Sequence, residues 1–184
     1  MLFRSPFAYY RRLSLAQKKI YDLSDRVTEV RLADPASLFA SVEALRIALE
    51  LGDRGAVERA SRALAAGINL QLNVPRVTLK VLAVRPSYRW GEMHGQYTAE
   101  KGKIPSIHLW MRTARAKKPV AFRAFLRTLL HELGHHHDYT LLKLAHSFHT
   151  EGFFKRESSL FGQLVPKTGG KRRGNRISSW MPDP

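Results

Sequence analysis

Apolar residues recur along this chain with two different periods, and the switch between them divides it. Leu38, Val42, Leu45 and Leu49 follow steps of three and four, the signature of one buried helix face. Asp34 and Pro35 stand ahead of them as N-cap and first-turn proline, and Gly52 follows as a stop. Asp53 then caps a second helix carrying Val57, Ala60, Leu64 and Ile68, which ends before Pro75. Together these predict a helical hairpin.

From Arg76 the period becomes two. Val77, Leu79, Val81 and Ala83 alternate with Thr78, Lys80, Leu82 and Val84, a strand rich in branched residues. Two more strands are expected over 88–98 and 104–111, joined across 100–103 as a hairpin. In the second, Ile107, Leu109 and Met111 alternate with His108, Trp110 and Arg112; at a sheet edge it could bind an extended peptide by strand addition.

Helical spacing then returns. Phe122, Leu126, Leu129, Leu130 and Leu133 predict a helix over 119–139, and Thr150 suits the N-cap of another carrying Phe153, Phe154, Leu160, Phe161 and Leu164. The expected fold is therefore α+β. A helical N-terminal region (1–73) precedes a core (74–166) in which a small, mainly antiparallel sheet packs on the 119–139 helix and a C-terminal helix. A basic, Gly-rich tail (167–184) follows.

Candidate chemistry is concentrated on the 119–139 helix. Six of the eight histidines fall between positions 131 and 149. Within His131-Glu132-Leu133-Gly134-His135, an HExxH arrangement, the two histidines are four apart and share one helix face, so both imidazoles can reach one ion with Glu132 beside them. A hydrolytic zinc site needs a third protein ligand and leaves its fourth position to water, for which Glu132 would be the general base. His149 and Glu157 are the main candidates for the third ligand, with His146 and Glu151 behind them.

Other polar groups have secondary roles in this reading. Asp138, one turn after His135, either orients an imidazole N–H or simply places a carboxylate near the helix end. His136 and His137 project away from the metal face and, like His94 and His108, are expected at the surface or in packing. Tyr97 and Tyr139 are possible donors to a developing oxyanion.

The run from His131 to His135, followed by His149-Thr150-Glu151-Gly152-Phe153, resembles the SprT-like zinc metallopeptidases, of minigluzincin type. In that pattern HExxH is followed by a third histidine and a phenylalanine four residues after it. The resemblance covers roughly 91–165, with Thr150 where the family usually has glycine. It implies Zn2+ held by His131, His135 and His149, Glu132 as catalytic base, and a protein or peptide substrate, in a family that acts on DNA-associated proteins.

Charge changes the picture of partners. Thirty-one Lys and Arg against fifteen Asp and Glu give a net charge of +16. Residues 101–131 hold Lys101, Lys103, Arg112, Arg115, Lys117, Lys118, Arg123 and Arg127 and no acid, and Lys167, Lys171, Arg172, Arg173 and Arg176 follow in the tail. A nonspecific nucleic-acid partner is the obvious polyanion. A metal-binding interaction module with little proteolysis is the alternative to a peptidase. The chain has no cysteine and no run approaching the roughly 20 apolar residues of a membrane span, so a cytoplasmic protein without a membrane partner is expected. Nothing in the pattern specifies an oligomeric state.

Overall fold

The expected helical hairpin forms between α2 (Phe39–Leu51) and α3 (Arg54–Gln71), with Gly52 and Asp53 as stop and cap as read from the sequence, but Asp34 and Pro35 open a separate turn and not α2 itself, which has no side-chain cap. The Asp34 carboxylate accepts the Ser37 N–H at a short 3-10 turn over Pro35–Leu38 that leads into α2. Gly52 ends α2 in the left-handed region at φ 69°, and Asp53 caps α3 by accepting from Ala56 N–H. Leu45, Leu49, Val57, Leu64 and Ile68 are fully enclosed between the two helices and the rest of the core. The computed structural model on which this rests describes residues 7–89 and 91–166, so the basic tail expected over 167–184 lies outside the described residues.

An additional helix, α1 (Leu15–Arg26), precedes the hairpin. Its signal is a capping box: Ser14 accepts from Gln17 N–H while the Gln17 side chain accepts from Ser14 N–H.

The strands are β1 (Thr78–Val84), β2 (Ser87–Tyr88), β3 (Gly91–Glu92), β4 (Gly95–Thr98) and β5 (Ser106–Arg112). β2 and β3 form a two-residue antiparallel ladder of their own. The main sheet has the order β1-β5-β4, with β4 antiparallel to β5 as expected for a hairpin and β1 parallel to β5. The sheet is thus mixed, and the 104–111 strand is its centre rather than an edge. The reason is visible in its burial: Ile107, Leu109 and Met111 are fully buried on one face, and Trp110 is buried on the other.

The two edges are treated differently. α3 lies along β1, where Arg62 Nε donates to Leu79 O (2.7 Å), Glu58 accepts Val81 N–H (2.9 Å) and Arg54 donates to Val81 O (3.1 Å). Side chains therefore occupy the backbone groups that another strand would need. β4, the opposite edge, faces α4 (Phe122–Thr140). Leu126, Leu129, Leu130 and Leu133 of α4 are fully buried, as the spacing predicts. α5 (Glu151–Leu164) packs on α4 through Phe153, Leu160, Phe161 and Leu164, whereas Phe154, expected on the same apolar side, is 40% exposed. No helix among the described residues is long and apolar enough to cross a membrane.

α5 also meets the end of α1 at very close range. A Cβ on Gly152 would lie 2.5 Å from Asp25 O and 2.7 Å from Ser24 O, both backbone atoms, while one on Gly162 would meet nothing within 4 Å. Replacing a helical glycine by alanine is worth up to about 1 kcal/mol, but forcing an extra carbon into packed surroundings costs about 1–3 kcal/mol. Two glycines of one helix are accordingly expected to respond with opposite signs. In urea unfolding, Gly162→Ala should raise stability by up to about 1 kcal/mol and Gly152→Ala should lower it by about 1–2 kcal/mol.

Candidate metal centre

His131 and His135 project from one face of α4, and the chain beyond α4 turns back to place His149 against them. One ring nitrogen from each lies within 4.8 Å of the others. His149 Nε2 is 3.0 Å from His131 Nε2 and 3.1 Å from His135 Nε2. Four donors around an ion at 2.0–2.1 Å stand about 3.3 Å apart in a tetrahedron, so the spacing suits a small divalent cation. Phe153 forms the floor beneath them: its ring centre is 5.0, 4.9 and 5.3 Å from those of His131, His135 and His149. Gly134 admits that ring, since a Cβ there would lie 2.9 Å from it.

The partners of the outer ring nitrogens decide what the inner ones can do. Ser147 Oγ donates to Asp138 Oδ2 (2.7 Å), so it accepts the Nδ1–H of His135 (2.7 Å). Glu157 Oε2 can only accept from His131 Nδ1 (3.3 Å) when ionised. Both imidazoles are then Nδ1–H tautomers whose Nε2 lone pairs point at His149. A single His149 Nε2–H could satisfy one of them, leaving the other without a donor. A cation accepts all three, and on this chemistry of the donor set a metal ion fits. Burial also lowers the pKa of His149 and, with His131 and His149 as neighbours, takes His135 to about 3, which keeps both rings neutral at pH 7.

Glu157, the rival third ligand, is thus on the outer side of His131, where it also pairs with Arg127 at 3.0 Å. The His146 ring lies 5.8 Å from that of Phe148, tilted by 44°, and is outside the cluster. His136 and His137 are buried packing residues, as expected. His136 donates from Nε2 to Pro75 O (2.8 Å) and accepts the Tyr97 hydroxyl at Nδ1 (3.3 Å), while His137 donates to Asn69 Oδ1 (3.0 Å). The Tyr97 hydroxyl is thereby engaged with His136, and its ring stacks between His135 and Tyr139.

Glu132 is 6% exposed and faces β4. A Cβ on Gly95 would lie 2.6 Å from its Oε1, so the strand crosses directly above the carboxylate. Burial pushes Glu132 up to about 7, against the opposing effects of His131 and the Tyr97 backbone N–H. A cleft of about 490 Å³ opens here, lined among others by His94, Gly95, Thr128, His131, Glu132 and Glu157. His94, expected at the surface or in packing, therefore borders this cleft. His108 lies within β5, opposite Lys80 and Gln96.

Two residues behind the cluster carry no signal of their role in the sequence. Ser147 has no distinguishing pattern. Arg156 reads as a solvated neighbour of Glu157, yet it is 4% exposed and pairs with Asp138, itself fully buried, at 2.7 Å. Burial raises the Asp138 carboxyl, and Arg156 opposes it. Of the basic run, Arg123 and Arg127 lie over the Phe161 ring and Arg112 bonds to Gly52 O and Lys117 O, whereas Lys101, Lys103, Arg115, Lys117 and Lys118 are exposed.

Removing one partner of a buried ion pair strands the other, which costs about 3–5 kcal/mol. Asp138→Asn is expected to lose stability of about that size in chemical denaturation, with no compensation at high salt because the pair is shielded from solvent.

In comparisons with known proteins, the chain matches no protein-family model, no curated protein and no solved structure. What the molecule displays is a three-histidine cluster able to coordinate a metal ion, set in an α+β fold.

Proposed function

We propose that the protein is a zinc-dependent peptide hydrolase of the SprT-like type. In this reading His131, His135 and His149 hold Zn2+ and Glu132 is the general base. The observation that supports it most directly is the convergence of three imidazole Nε2 atoms next to a buried glutamate, under a sheet edge. Phe153, four residues after His149 as in the family pattern, lies against all three rings. The catalytic unit is taken as residues 74–166, flanked by the helical 1–73 region and the basic 167–184 tail.

Zinc, when bound, supplies Lewis acidity for a substrate carbonyl and a water molecule. The rest of the work falls to the chain. An extended peptide adds to β4, because β1 has its outer edge occupied by Arg54, Glu58 and Arg62. Glu132 takes the proton from the attacking water and passes it to the leaving amine. Gly95 lets the strand, and with it the peptide, lie close to that carboxylate. Glu157 and Ser147 hold the ligand rings in the tautomer that offers Nε2.

A second reading needs only the cluster: a metal-binding module for nucleic acid or protein, with little or no proteolysis. The charge of +16 and the exposed Lys101, Lys103, Arg115, Lys117 and Lys118 favour a polyanionic partner for either reading.

Zinc content of the purified protein, measured with cleavage of an unfolded protein with and without a chelator, separates the two. One zinc per chain and chelator-sensitive cleavage are expected, with nonspecific DNA bound at low salt and released at high salt. Alanine at His131, His135 or His149 should abolish stoichiometric zinc, while Glu157→Ala should keep it. Glu132→Gln should keep zinc and lower cleavage by at least about 100-fold. Zinc binding with no chelator-sensitive cleavage would leave the binding module as the function.

A further inference from the structure

Three hydrogen bonds lead from the histidine cluster into the interior and out again at the first helix. His135 Nδ1 donates to Ser147 Oγ (2.7 Å), Ser147 donates to Asp138 Oδ2 (2.7 Å), and Asp138 Oδ1 accepts from Arg156 Nη2 (2.7 Å). Arg156 continues to the C-terminal end of α1, where Nη1 donates to Ser24 O and Val27 O (both 2.6 Å) and Nη2 to Ser24 Oγ (3.0 Å). Two of these acceptors are backbone carbonyls at the end of α1, where Ser24 O also takes the Val27 N–H, and the third is the Ser24 hydroxyl. The same end of α1 contacts the N-terminus of α5 next to His149. Ser24 Oγ is 3.4 Å from Thr150 Oγ1, and Gly152 N–H donates to Asp25 Oδ1 (2.8 Å). Before α1, the Tyr9 hydroxyl donates to His149 O (2.9 Å).

We propose that Ser147 and Arg156 are positioning residues of the metal centre, and that through them docking of α1 is coupled to metal affinity. The inference rests on His131, His135 and His149 being the ligand set. Ser147 acts twice. It fixes the Nδ1–H tautomer of His135, and it anchors the loop that presents His149 two residues later. Asp138 can serve Ser147 only while Arg156 balances its buried charge, and the same guanidinium holds α1. Fixing a ligand ring through its other nitrogen is worth roughly 10–100-fold in metal affinity. Since linkage is reciprocal, an ion that tightens this chain also tightens the end of α1.

The test uses the full chain, zinc alone as probe in competition with a chromophoric chelator, and nitrogen-15 NMR of the imidazoles. Ser147→Ala keeps the Arg156–Asp138 pair and should weaken zinc by about 10-fold or more. Ser147→Thr, which restores the hydroxyl, should recover most of that loss. In metal-free protein, His135 should be Nδ1-protonated in the parent and a tautomer mixture in Ser147→Ala, a signature that a merely structural role would not move. Zinc should slow amide exchange over residues 22–28 in the parent and lose that effect in Ser147→Ala. Equal zinc affinity and an unchanged His135 tautomer in Ser147→Ala would overturn the positioning role, and absence of zinc protection at the end of α1 in the parent would overturn the coupling. A parent that binds no zinc would instead defeat the ligand assignment, and the metal-free tautomer comparison would still decide the role of Ser147.

Discussion

A single guanidinium holds the parts of this protein that must not move relative to one another. Arg156, on α5, bonds to Asp138 of α4 and to two backbone carbonyls and a hydroxyl at the end of α1. A lysine has one point charge and could not meet that planar set of acceptors. Burying the charge is costly, and only its full set of partners makes it tolerable. The consequence is geometric: α4 carries His131 and His135, α5 starts immediately after His149, and the Arg156 contacts keep both helices in register.

The histidine cluster is built from opposed preferences. Neutral imidazoles avoid pointing lone pairs at one another, yet Glu157 and Ser147 fix two rings so that theirs converge on the third. A cation held between the three rings would relieve that opposition, which is why the cluster is able to coordinate a metal ion. Below the rings Phe153 excludes water, and above them Glu132 faces the cleft, which gives the site one dry wall and one open side.

The sheet adds a direction. With only three strands, each edge matters. Arg54, Glu58 and Arg62 of α3 satisfy β1, whereas β4 runs over Glu132 with Gly95 at the crossing point. The histidine cluster and the β4 edge are therefore on the same side of the molecule.

Periodicity in the sequence was enough to locate the α2–α3 hairpin, the 77–84 and 104–111 strands, α4 and the Thr150-capped helix, because burial of one face and satisfaction of helix ends are local demands; the single strand expected over 88–98 is instead three short pieces, β2, β3 and β4. The four-residue spacing of His131 and His135 likewise determined that they share a face. The Ser14–Gln17 capping box also marked α1, although it is easily passed over without an apolar stripe behind it. What only the tertiary structure decided depends on groups far apart in sequence: that β5 is central, that Asp138 is neutralised by Arg156 and reaches His135 through Ser147, that Glu157 lies behind His131, and that Gly152 admits the end of α1. An isolated arginine, serine or glycine carries no period. Its role is set by which backbone carbonyl or charged group the fold brings within about 3 Å.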